Sequence, residues 1–197
     1  YILYYAAITI FILLYFKSNY SFHLDFNVSI NHHNFKNLLL KIPSFNLLID
    51  FLKNSMSYFI GVTYTQKLLI FSFFFLSAIS MHRFVNTKSQ IPKYFAGIFY
   101  MLNPFVYIRF MAGHWLILLA YSLLPFVIKS IMKFMDNPDR KQTIKTMLWI
   151  SLIAAINIHT LFLVFFLFFV FYVYKLIKSK KEGIKLTKSI VIMVLFF

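Results

Sequence analysis

From its amino end the chain alternates long apolar runs with short polar breaks. Tyr1 to Phe16 is the first apolar run and about Gly61 to Met81 is the second. Two hairpins follow. In the first, about Tyr94 to Leu102 goes out, 103–114 turns, and Trp115 to Met132 returns, with Pro125 expected to kink the return. In the second, Thr146 to Ile158 goes out, 157–160 turns, and Leu161 to Tyr174 returns as 14 consecutive apolar or Tyr residues. Such runs predict helices that cross a bilayer, whose core of about 30 Å needs roughly 20 helical residues. The outgoing arms are shorter than that. The pattern therefore places the polar turns below the outer surface, lining a cavity, because irregular backbone at that depth needs protein or water to satisfy it.

Composition narrows the class. Of the 197 residues, 61% are hydrophobic and 13% charged, too few charges to solvate a surface around so much Phe, Ile and Leu, so a soluble globular enzyme is excluded. The net charge of +15, from 20 Lys and Arg against 5 Asp and Glu, would suggest nucleic acid in a soluble chain. Here the charges fall between apolar spans, so the bilayer is the expected partner and nucleic acid is not. The loops 82–93, 133–145 and 175–188 are short and basic, which predicts that they are cytoplasmic. By parity the long segment 17–60 lies outside, together with the turns at 103–114 and 157–160. The expected fold is all-α: a polytopic transmembrane helical bundle forming one domain over 1–197, with a long extracytoplasmic first loop that carries an amphipathic interfacial helix. Its expected place is the cytoplasmic membrane, or the ER membrane in a eukaryote. The start at Tyr1 without Met and the end inside an apolar run predict the front piece of a longer protein. The absence of Cys removes thiolate catalysis and Cys metal sites.

The topology sorts the acids. Asp136, Asp139 and Glu182 fall among Lys and Arg in cytoplasmic loops, leaving Asp25 and Asp50 outside. Asp25 sits in a strict period-two alternation from Phe22 to Ile30, which in an extended chain puts His23, Asp25, Asn27 and Ser29 on one face. That row is either a solvated edge or a cavity lining, with Asp25 as a general base or an acid beside a metal. Asp50 belongs to an amphipathic helix over 44–60, with Lys53 and Asn54 beside it on the polar face, so an exposed pair is expected there. Arg109 is the one Arg on the outer side, among apolar neighbours. A guanidinium so placed is either a phosphate ligand or a side chain snorkelling to headgroups. His114, after Gly113, either joins the same anion or caps the helix that begins at Trp115. His23, His32 and His33 match no standard metal spacing, and a divalent metal stays open as the only cofactor. With 4 Gly in the chain, a nucleotide-binding loop is not expected.

These residues together resemble the amino-terminal half of a GT-C-type membrane glycosyltransferase. One span leads into a long external loop with an acid soon after it, Asp25 in His23-Leu24-Asp25-Phe26, and the loop carries the amphipathic helix 44–60. Tyr94-Phe95-Ala96-Gly97, Asn103-Pro104-Phe105, Arg109, Gly113-His114 and Leu116 to Pro125 carry the rest, and His159 in Asn157-Ile158-His159-Thr160 falls where such proteins turn between spans. The first-loop acid stands alone here rather than in an acidic pair. The resemblance implies transfer of a sugar from a polyprenyl- or dolichyl-phosphate donor to an acceptor on the extracytoplasmic face. In it Asp25 activates the acceptor hydroxyl, and Arg109, with His114, holds the lipid phosphate as its sugar leaves; His23, Asp50 and His159 are secondary candidates. A transporter or flippase for a lipid-linked or anionic substrate, and a noncatalytic membrane subunit, remain as alternative readings.

Overall fold

The computed structural model describes residues 1–15, 47–178, 186, 187 and 190. All regular structure among them is helical. In chain order the helices are α1 (Ile2–Tyr15), α2 (Leu47–Ile60), α3 (Val62–Phe84), α4 (Gln90–Leu102), α5 (Pro104–Met111), α6 (Trp115–Asp136), α7 (Arg140–Ile156) and α8 (Ile158–Lys178). Three of them, 63–84, 115–136 and 158–178, are long and apolar enough to cross a membrane. Many large apolar side chains face outward, among them Phe11, Phe95, Phe162 and Phe166, as suits an environment of lipid rather than water. The period-two segment with Asp25 and His23, and His32 and His33, lie outside the described residues.

The helices run further than the polar breaks imply. The second span continues to Phe84 and takes in His82 and Arg83. The connection expected over 133–145 shrinks to 137–139, because α6 runs to Asp136 and α7 begins at Arg140. Long basic side chains extend their charge away from a helix axis while the stem covers apolar surface, so Lys and Arg end the apolar run before they end the helix. This corrects the short outgoing arm of the second hairpin: α7 has 17 residues, about 25 Å of rise. The turn expected at 103–114 is also corrected, since it contains α5. Asn103 opens that helix by accepting from the Val106 N–H at 3.1 Å, and Pro104 stands at a first-turn position where its missing N–H costs nothing.

Two apolar cores share α6. On one side Tyr5, Ile70, Phe73, Phe74, Met101 and Phe110 bring together α1, α3, α4 and α5. On the other, Val127, Ile131, Phe134, Ile150, Ile153 and Val164 bind α6, α7 and α8. Buried hydroxyls mostly turn back on their own helices: Thr9 bonds the Tyr5 carbonyl at 2.8 Å and Ser77 the Phe73 carbonyl at 2.6 Å. An exception joins two helices, where Ser130 Oγ and Thr146 Oγ1 lie 2.9 Å apart and Gln142 Nε2 donates to the Ser130 carbonyl at 2.9 Å.

Pro125 lies inside α6, which continues through it. Lacking an N–H, Pro125 leaves the carbonyl of Tyr121 without its helical donor. The Tyr100 hydroxyl of α4 supplies one at 2.9 Å. In return the Tyr121 hydroxyl donates to the Tyr100 carbonyl in the last turn of α4 at 3.1 Å, an acceptor that Asn103 Nδ2 also reaches at 2.9 Å. The two rings stack with centroids 4.2 Å apart, and Asn103 Nδ2 joins the clasp by donating to the Tyr121 hydroxyl at 2.7 Å.

The ends of the helices fall into two groups. Lys129 Nζ donates to the Arg83 carbonyl, and Lys175 pairs with Asp136 at 2.9 Å, so α3, α6 and α8 finish at one end. Arg83 Nη2 meets the Tyr1 hydroxyl at 3.0 Å, which puts the start of α1 there too. His82 is buried at that end: Tyr1 stacks on it and the Tyr5 hydroxyl lies 2.9 Å from its Nδ1. The opposite end holds the starts of α3, α6 and α8, with Lys53, Lys67, Arg109 and His114.

Candidate functional site

The site forms at the link between α5 and α6. Here α5 ends with Gly113 at φ 77°, a conformation that favours glycine because a β-carbon would crowd the carbonyl. The Gly113 N–H bonds the Phe110 carbonyl at 3.0 Å and the His114 N–H bonds the Arg109 carbonyl at 3.0 Å. Those two bonds make a Schellman motif, which frequently brings the residue two past the cap against the residue one turn back. In most proteins that contact is apolar. Here the two positions are His114 and Arg109, and Arg109 Nη1 lies 3.1 Å from His114 Nδ1. A guanidinium can only donate, so Nδ1 accepts and the ring proton sits on Nε2.

Arg109 is partly buried and its guanidinium also lies over the Phe105 ring, 5.6 Å from the centroid. Among the described residues no carboxylate pairs with it. His114 occupies the cap position of α6 but makes no side-chain cap bond, so the capping alternative is set aside in favour of the contact with Arg109. Trp115 follows and is buried, and Lys53 Nζ from α2 lies 5.6 Å from its ring centroid. Two cations from distant parts of the chain thus reach one turn, each leaning on an aromatic face. This arrangement suits a phosphate: a planar guanidinium offers paired donors, and the apolar surroundings strengthen each charged contact.

The remaining candidates separate. Asp25 and His23 lie outside the described residues. Asp50 is carried by α2, and its side chain lies outside what the structure describes; on the same helix Lys53 is half-buried against Trp115, Leu52, Phe59 and Ile60 are exposed, and Ile49 packs against both cores. His159 is exposed in the first turn of α8, and no hydrogen bond joins it to Arg109 or His114; Asn157 makes the turn, accepting from the Thr160 N–H at 2.9 Å. Among the described residues no group of three or more His, Cys, Asp or Glu could hold a metal. Sequence reasoning missed Trp115 as the seat of Lys53, which depends on packing across 62 positions of chain and leaves no local signal. It also missed the Tyr100–Tyr121 clasp, although a Pro inside an apolar run announces a carbonyl in need of a donor.

Comparison with protein-family models, curated proteins and solved structures finds no match for this chain.

Proposed function

We propose that the chain is membrane machinery of a glycosyltransferase that takes its sugar from a polyprenyl-phosphate donor. The observation that carries this reading is the Arg109–His114 pair, a guanidinium oriented by a Schellman turn at one end of the bundle with no described carboxylate to neutralise it. Phosphate is the leaving group when such a donor gives up its sugar, and a fixed guanidinium stabilises the charge that grows on it. Lys53, over Trp115, adds positive potential beside the same turn. Asp25 is the acceptor base in this reading, and it rests on the resemblance alone. In this reading the end that gathers Arg83, Lys88, Lys133, Lys141 and Lys175 is the cytoplasmic one, supported by the bias of basic residues, and Arg109 and His114 lie on the extracytoplasmic side.

The test is transfer from a panel of polyprenyl-phosphate sugars by the full-length protein in vesicles. Arg109→Gln is expected to lower kcat/KM on the order of 100-fold or more, the usual loss for one charge-stabilising donor, with Arg109→Lys between the two. Asp25→Asn is expected to abolish transfer while leaving donor binding intact. Unchanged transfer in Arg109→Gln overturns the assignment. Movement of a fluorescent lipid phosphate across the vesicle without any transfer would favour the flippase reading instead.

A further inference from the structure

A third cation of the Arg109 end, beyond Arg109 and Lys53, lies on a different face. An open groove of about 660 Å³ runs where α1 meets the start of α3, lined by Leu13, Ile60, Tyr64, Lys67, Leu68 and Phe71. These α3 positions form one helical stripe, turned away from Phe73 and Phe74, which carry the Phe110 contact and so the turn with Arg109. Lys67 is the one charge in the groove. It is exposed, and among the described residues it has neither a carboxylate nor a hydrogen-bond partner.

From this geometry we infer that the groove seats an anionic phospholipid of the bilayer, its phosphate on Lys67 and an acyl chain along Leu13, Leu68 and Phe71. Lys67 stands five residues past Val62, about 7–8 Å below the start of α3, a depth from which an ammonium on a four-carbon stem reaches the phosphate layer. An unpaired ammonium in an apolar wall is costly, and an anion from solution would lose its hydration there without gaining enough. A lipid carries both the charge and the hydrocarbon, so it satisfies Lys67 and fills the apolar lining together. The inference uses none of the residues of the proposed donor site, so either can fail without the other.

The experiment places a reporter in the groove. Phe71→Trp in the full chain is reconstituted in vesicles doped with brominated phosphatidylglycerol or brominated phosphatidylcholine of equal chain length, with quenching of the native Trp115 and Trp149 subtracted using the parent protein. Phosphatidylglycerol is expected to occupy the site about fivefold in preference, the usual gain for one Lys against an anionic headgroup. Lys67→Gln should bring the two lipids to parity and Lys67→Arg should keep the preference. A Trp at Phe165, exposed on α8, should show no preference. Equal quenching by the two lipids at position 71 with Lys67 intact overturns the proposal without any Lys67 variant. So does an equal preference at position 165, or a preference that survives Lys67→Gln.

Discussion

Gly97 shows how much one hydrogen atom can decide. A methyl group there would run into the Tyr5 ring and stand 3.0 Å from the Ala78 carbonyl, so the bare backbone of α4 is what lets α1 and α3 close around it. Closing them buries Tyr5, and the hydroxyl of that Tyr then reaches His82 and, at 3.3 Å, the Lys93 carbonyl. Gly97→Ala is expected to cost about 1–3 kcal/mol, the range for overpacking a well-filled interior. Thermal unfolding in detergent measures it as a lower Tm. Because the nearest obstructing atom is the Tyr5 oxygen, Tyr5→Phe should take back part of the loss. The double variant is then less destabilised than the sum of the two single ones. Strict additivity would mean that the ring moves aside freely and that the close approach has no energetic weight.

Between helices, the clasp of Tyr100 and Tyr121 repairs the backbone defect at Pro125, and Asn103 shares with Tyr121 the work of answering the Tyr100 carbonyl. Proline removed a donor from α6, α4 ended with open carbonyls, and each hydroxyl serves the other helix. In lipid a carbonyl without a donor finds no water to replace it. Tyr100→Phe is therefore expected to lower stability by about 1–3 kcal/mol, the penalty for stranding a buried acceptor. Pro125→Ala returns the missing N–H to the Tyr121 carbonyl, so in that background Tyr100→Phe should cost markedly less. Equal costs in both backgrounds would refute the repair. The clasp also shows which parts of the fold were readable from residues alone. Apolar runs located α1, α3, α6 and α8, and a lone outer Arg among apolar neighbours drew attention to Arg109 and His114 before any geometry. Their meeting was latent in the chain, since Gly113 four residues past Arg109 is where a helix end would place it. It went unread because Pro104 and Gly113 marked the whole stretch as a turn and hid the two turns of helix between them. The partners of Tyr100 and Lys53 depend on how helices face one another, which no local pattern encodes.

Across the whole molecule, the charges divide by end. Lys88 and Asn137 lie in exposed connections at the end rich in Lys and Arg, and His159 is exposed at the other. These 197 residues contain no Cys, so single substitutions among them report the side of each. In intact cells a membrane-impermeant maleimide should label His159→Cys and leave Lys88→Cys and Asn137→Cys untouched until the membrane is opened. The reverse pattern would place Arg109 in the cytoplasm and end the extracytoplasmic reading. Burial is also uneven: in the most apolar window of α6, 50% of the residues are buried, and in that of α8, 17%. The outer face of α8 is thus left to lipid or to further protein.

In this bundle α3 packs against α1, α2, α4 and α6. Two of those four neighbours are synthesised before it and two after, so assembly has an order written into it. While the ribosome is still making α3, the Tyr5 hydroxyl of α1 has neither partner, because His82 and Lys93 do not yet exist. Translation past Lys93 supplies both partners, but the first core is complete only when Met101, Phe110 and the start of α6 have followed, and the rest of α6 must come before the second can begin. A chain stalled before His82 lacks both partners of the Tyr5 hydroxyl, a chemical mark by which a chain cut short there differs from one carried past it.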